Sequence, residues 1–267
     1  MEWIIQEGLT PSEHAIRMAS AVAAEGMPII RAWLNEDKAI EIEREPEGPA
    51  FAYGSHGLSL HVAAKGWSPG TFLGLEGDNR DWIARYGSEM VNDRAVTCSF
   101  RDVSPEGMGR VFIRPAGINK LFGGMVLDED EVDGWRRSLV LGRGSPVRAS
   151  KLLGPESLVT YGPVAHILHE ARFFIIDGKP IAWSSYATEG QADIERSVPG
   201  AMVDYASAMS KLWSPAPAFV LDIAETASGL RIVELNSINT SGLYKANEVS
   251  IVHAVEQLML TQALPSP

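Results

Sequence analysis

Two strongly apolar segments, PAFVLDIAET and LRIVELN, are separated only by the turn residues ASG, and each carries an acid among its aliphatic residues. Short apolar runs flanking a glycine-containing turn read as neighbouring strands. Pairing across the turn places Asp222 and Glu234 on adjacent strands. Glu234 and Asn236 then share a face, because strand side chains alternate with period two. Three oxygen-bearing side chains would converge. Carboxylate and amide oxygens suit Mg²⁺, which keeps several waters and takes further ligands from a nucleotide's phosphates. The alternative is two ordinary solvent-facing acids on an exposed hairpin. Their apolar setting favours the metal reading, since an ionised carboxylate there must be paired, hydrogen-bonded or metal-bound.

The rest of the chain supplies enough material to bury such a site. With 267 residues, 45% hydrophobic and 21% charged, it predicts one globular assembly of two or three lobes. Residues 1–107 alternate strand-like pieces (EWIIQ, PIIRAW, PAFAYGS) with helical ones (PSEHAIRMASAVAAEGM, and GLSLHVAAKG as a short helix), which predicts a small α/β lobe. A second texture begins at Met108 and runs through 267. GRVFIRPAGINKLFGGMVL sets an apolar strand before a glycine-containing loop, and SLVTYGPV, HEARFFIID and PIAWSSYA follow as strands. Asp177-Gly178 is a hairpin signal between the last two. VPGAMVDYASAMSKLW and ANEVSIVHAVEQLMLTQAL read as helices.

Charge and cysteine content narrow the function classes. A formal net charge of -11 and a pI near 5.0 disfavour nucleic-acid partners, whose phosphates call for a basic surface. Cys98 is the only cysteine, so a disulfide framework and a multi-cysteine metal site are ruled out, and a reducing cytoplasmic setting is expected. The opening MEWIIQEGLT lacks the basic and long apolar parts of a signal peptide. No run reaches the roughly eighteen apolar residues of a membrane span, so no membrane partner is expected. The six histidines show no HExxH arrangement, and the serines lack a GxSxG elbow.

Asp222 followed by Glu234-x-Asn236 resembles the metal-binding signature of the ATP-grasp enzymes. FIRPAGINKLFGG is similar to that family's phosphate-binding strand and lid, and HEARFFIIDGKPIAWSSY to the strand pair after its adenine hinge. These motifs span roughly Met108 to Leu260 in the family's order. The chain departs from the common pattern in having Arg114 before Pro115 where most members carry lysine.

The resemblance implies an α/β (α+β) ATP-grasp fold, two α+β lobes sandwiching ATP, with residues 1–107 as the preceding small lobe. It implies ATP and Mg²⁺ as cofactors, with Asp222, Glu234 and Asn236 holding the metal. Arg114, Lys120 and Arg172 would act on the phosphates, and Gly117, Gly123 and Gly124 would let the lid backbone approach them. Tyr161 to Val164 would form the hinge beside adenine and Glu170 would hold the ribose, with Lys151 a further nucleotide contact. Asn239, Ser241, Tyr244 and Lys245 would face the substrate. The expected activity is carboxylate–amine ligation through an acyl-phosphate, on small-molecule or peptide substrates; the alternative is an inactive nucleotide-binding sensor. The oligomeric state, a homodimer included, is left open by the sequence.

Overall fold

A computed structural model describes residues 1–72, 79–116 and 121–263. Lys120 and Gly117 of the expected lid lie outside them. The described strands are β1 (Glu2–Gln6), β2 (Ile29–Leu34), β3 (Ile40–Ile42), β4 (Ala50–Tyr53), β5 (Pro69–Gly70), β6 (Val96–Ser99), β7 (Arg110–Pro115), β8 (Met125–Asp128), β9 (Leu158–Pro163), β10 (Ile167–Ile176), β11 (Lys179–Thr188), β12 (Gln191–Ala192), β13 (Ala218–Thr226) and β14 (Gly229–Asn236). The helices are α1 (Glu13–Ala24), α2 (His56–Lys65), α3 (Asn79–Tyr86), α4 (Glu129–Val140), α5 (Gly200–Leu212) and α6 (Glu248–Ala263). The fold is mixed α+β. Contacts divide the chain into two compact units: Met1–Leu75 with Leu168–Glu225 and Glu234–Pro267, and Glu76–Ile167 with Thr226–Val233.

The first unit holds two five-stranded sheets. One has the order β3-β2-β1-β4-β5, with β1 parallel to both β2 and β4 and the edge strand β3 antiparallel to β2. Between β1 and β2 the chain crosses over through α1, whose Ala15, Met18, Ala21 and Val22 form one buried stripe at helical spacing. The other sheet has the order β12-β11-β10-β13-β14. Its β10–β11 hairpin turns at Asp177 and Gly178, both at positive φ (50° and 67°), the backbone required by the two-residue turn that matches strand twist. Side chains from both sheets join α1 and α6 in one core, in which Trp3, Phe51, Phe174, Val220, Val252 and Val255 are almost fully buried. Trp3 Nε1 also donates to the buried Glu256 Oε1 of α6 at 2.7 Å.

The second unit carries the antiparallel sheet β6-β9-β7-β8. Helix α4 begins in the acid-rich run after β8 with a reciprocal cap, the Asp128 side chain on the backbone at Glu131 and Glu131 on the backbone of Asp128. Its Trp135 packs edge-on against Phe100 and Phe122, with ring centroids 4.7 and 4.9 Å away. Alternation in β7 buries Val111 and Ile113 in this core and leaves Phe112 and Arg114 half-buried on the opposite face.

Candidate active site

In the first unit, the neighbouring strands β10, β13 and β14 bring the expected acids together. Asp222 lies in the buried run of β13 and is fully buried, while Arg172 on β10 is 9% exposed. The guanidinium grips the carboxylate with both arms, Nε to Oδ1 at 2.9 Å and Nη2 to Oδ2 at 2.7 Å. This is the bidentate geometry that makes arginine suited to buried ion pairs. The Asn236 amide nitrogen donates to Asp222 Oδ2 at 3.2 Å and to Glu234 Oε1 at 2.9 Å. The two carboxylates and the amide foreseen from the sequence therefore share one spot.

Glu170, two residues before Arg172 on β10, is 8% exposed and accepts a hydrogen bond from the Tyr186 hydroxyl of β11. Burial pushes its carboxyl up to about 7, helped by the negative charges of Asp222 and Glu234 and opposed by the Tyr186 hydrogen bond and Arg172. Burial also pushes Asp222 up, and Arg172 pulls it back. For Arg172, burial opposes the charged form but Asp222 outweighs it and raises its proton affinity. The directions for this pair compete. The bidentate geometry decides for the ion pair, because protonating Asp222 would strand a buried guanidinium.

Three carboxyls thus face one guanidinium. Among the described residues no group of three or more His, Cys, Asp or Glu side chains is arranged to hold a metal ion. The set here is two carboxylates and an amide, an oxygen-rich and electronegative donor group whose chemistry fits a hard divalent cation.

The loop after β14 is held against this cluster. Asn239 is fully buried, its amide nitrogen donating to Ala52 O at 2.6 Å and its Oδ1 accepting from Phe72 N at 2.8 Å. Ser241 is also buried and donates to Ser237 O at 2.7 Å. Both were expected to face substrate; here their polar atoms brace the loop. Tyr244 is half-buried and stacks on Tyr186 with centroids 5.3 Å apart and planes 7° from parallel. The Arg172 guanidinium carbon lies 5.6 Å from the Tyr186 ring centre and 5.3 Å from that of Tyr244, within cation–π range. Tyr244 has φ 47°, a left-handed conformation that costs a bulky residue about 1–3 kcal/mol. Lys245 is exposed and pairs with Glu195.

Sequence reasoning did not single out Tyr186, Arg17 or His14 for the site. The His14 ring meets Tyr244 edge-on at 5.7 Å, and its Nδ1 is buried without a partner. Burial holds His14 below the ordinary histidine range, with Arg17 and Arg172 adding to the effect and Glu13 opposing it. The only sequence signal for Tyr186 was its place in β11 opposite the Glu170 region.

In the second unit, the Arg114 guanidinium carbon lies 5.8 Å from the Trp82 ring centre. Tyr161 is in the core, pairing with β6 on one side and β7 on the other, and its hydroxyl bonds to the Ser104 backbone. Of the expected hinge, Val164 lies beyond β9 and is 38% exposed. A cavity of about 410 Å³ opens beside it, lined by Phe112, Gly162, Val164, Asn92 and Arg231 among others. Gly123 and Lys151 are exposed in loops on either side of α4 in the sequence.

Solved structures with this fold include D-cycloserine synthetase DcsG, with a TM-score of 0.64 at 12% identity over 97% of this chain and 100% of that one. D-alanine–D-alanine ligase from Bacillus anthracis complexed with ATP gives 0.62 at 14% identity over 98% and 97%. The RimK domain ATP-grasp protein from Sphaerobacter thermophilus gives 0.60 at 13% identity over 99% of each. No curated protein matches the sequence significantly. At these identities the likeness establishes the fold. Residues 55–257 match the model of an ATP-grasp domain, the third family of its clade, and the chain belongs to that ATP-grasp family.

Proposed function

We propose that this protein is an ATP-dependent ligase that activates a carboxylate as an acyl-phosphate and joins it to an amine, releasing ADP and phosphate. The observation that carries this reading is the convergence of Asp222, Glu234 and Asn236 beside Arg172. Family membership and solved ligases of the same fold support the ligase class.

Asp222, Glu234 and Asn236 would hold Mg²⁺, which when bound offsets charge on phosphate oxygens. Phosphoryl transfer asks mainly for positioning and charge neutralisation rather than a side-chain base. Arg172 meets that demand from a fixed place, since Asp222 holds its fork. Arg114 keeps its expected role at the phosphates, Glu170 with Tyr186 that of ribose acceptor, and the cavity beside Val164 is assigned to adenine. Tyr244 and Lys245 are left to face the carboxylate and amine substrates.

The test is ATP to ADP conversion across a panel of amino acids and peptides, with mass detection of the product and hydroxylamine added to trap an acyl-phosphate as its hydroxamate. ADP release that needs a carboxylate, together with a trapped hydroxamate, supports the reading. Nucleotide binding without turnover for any pair would replace it with a nucleotide-sensing module.

A further inference from the structure

We propose that Arg17, on α1, is a positioning residue of the active site: it fixes the loop after β14 so that the Tyr244 ring stays on Tyr186 and beside the Arg172 guanidinium. The inference rests on the ligase reading above and adds the N-terminal helix to its machinery.

Arg17 uses every arm of its guanidinium on one short stretch of chain more than two hundred residues away. Nη1 donates to Tyr244 O, and Nη2 donates to Ala246 O at 2.8 Å. Nε and Nη2 donate to the Glu248 carboxylate at 3.3 and 2.5 Å. The Arg17 hydrogen bond holds the Glu248 carboxyl below the usual carboxylate range. These contacts bracket Tyr244, the site residue whose φ of 47° is foreign to bulky side chains and persists only when its surroundings impose it.

The imposing contacts come from two directions. Ser184 Oγ accepts from Lys245 N at 3.0 Å on the β11 side, and Arg17 takes both carbonyls on the α1 side. His14, one turn earlier on α1, meets the Tyr244 ring edge-on. Backbone and ring of Tyr244 are therefore both set by α1. A lysine cannot copy this, because its donors radiate from one point whereas the planar fork spans two carbonyls and a carboxylate. Without the fork, Tyr244 returns to negative φ and its ring leaves the stack. An ordinary exposed ion pair with Glu248 predicts something different: Glu248→Gln would then do the same damage as Arg17→Gln, while the two carbonyl bonds predict a much milder effect.

The experiment is a mutant cycle on kcat/KM for ADP formation with MgATP and the substrates found in the screen above, paired with amide hydrogen exchange on the substrate-free protein. Arg17→Gln and Tyr244→Ala are each expected to lower kcat/KM roughly ten- to a hundredfold, the scale of a small misplacement at a reacting centre. The double variant should be no worse than Tyr244→Ala alone, because Arg17 acts through that ring. Exchange in Arg17→Gln should rise across residues 237–247 and remain at the wild-type level elsewhere.

Additive losses, equal damage from Glu248→Gln, or unchanged exchange in the loop would overturn the proposal. Arg17→Lys, which keeps charge and stem, covers the case in which Arg17→Gln does not fold, and is expected to show the same loop exchange with a partial loss of activity. A wild-type protein that forms no ADP sinks the ligase reading, and the exchange result still decides whether Arg17 anchors the loop.

Discussion

Asp222 and Glu234 sit side by side but tolerate change very differently. Asp222→Asn removes half of a buried ion pair and leaves Arg172 uncompensated, so a loss of about 3–5 kcal/mol in urea unfolding is expected. Glu234 is only half-buried. Glu234→Gln should leave the unfolding midpoint near wild type while lowering ADP formation at least about a hundredfold; retained turnover would remove Glu234 from the metal set. His14 gives a pH signature. Its folded pKa lies below the ordinary value near 6.5, so its contribution to stability is present above that pH and lost as pH falls through it. Urea midpoints at about pH 8 and about pH 5.5 should differ less in His14→Gln than in the wild type. The three oxygen donors were legible because acids interrupting aliphatic strands need a partner. Tyr186, Arg17 and His14 were not, because each reaches the site only through contacts made by folding, and the Arg17–Tyr244 bond closes a loop of 227 residues.

Most elements could be read from local pattern. The β10–β11 hairpin is the clearest case, with Asp177-Gly178 forming the turn that its composition announces. Gly178 at φ 67° also presents its carbonyl to Ser210 Oγ at 2.8 Å. Gly178→Ala should cost about 1–2 kcal/mol through left-handed strain alone, read as a lower thermal midpoint, whereas Gly190→Ala, at φ 75° by the two-residue edge strand β12, probes the same strain away from the central hairpin. Helix α4 escaped notice because DEDEV reads as a solvated acidic run, although Asp128 and Glu131 carry the capping spacing. Strands β3, β5 and β12 are two or three residues long, too short for any alternation to register. Tyr161 shows a further limit: strand character was legible, but its position between two pairing partners, which turns the side chain into core, was not.

At the scale of the molecule, the expected α+β family fold is the one observed, and the net charge of -11 makes a small, locally neutralised ligand the natural partner. Binding MgATP to the folded state alone should stabilise it by about 2.7 kcal/mol at a hundredfold excess over Kd. Differential scanning fluorimetry should show that shift with Mg²⁺ present and a much smaller one with EDTA or in Glu234→Gln. The first unit, gathered from three separated stretches of sequence, has a consequence for biosynthesis. Trp3 and Val22 are buried against Val252 and Val255 of α6, and Trp3 is hydrogen-bonded to Glu256. On the ribosome, the strand made among the first must wait with its apolar face uncovered until a helix some 250 residues later emerges. Nascent chains halted before α6 are therefore the form of this protein most in need of a chaperone.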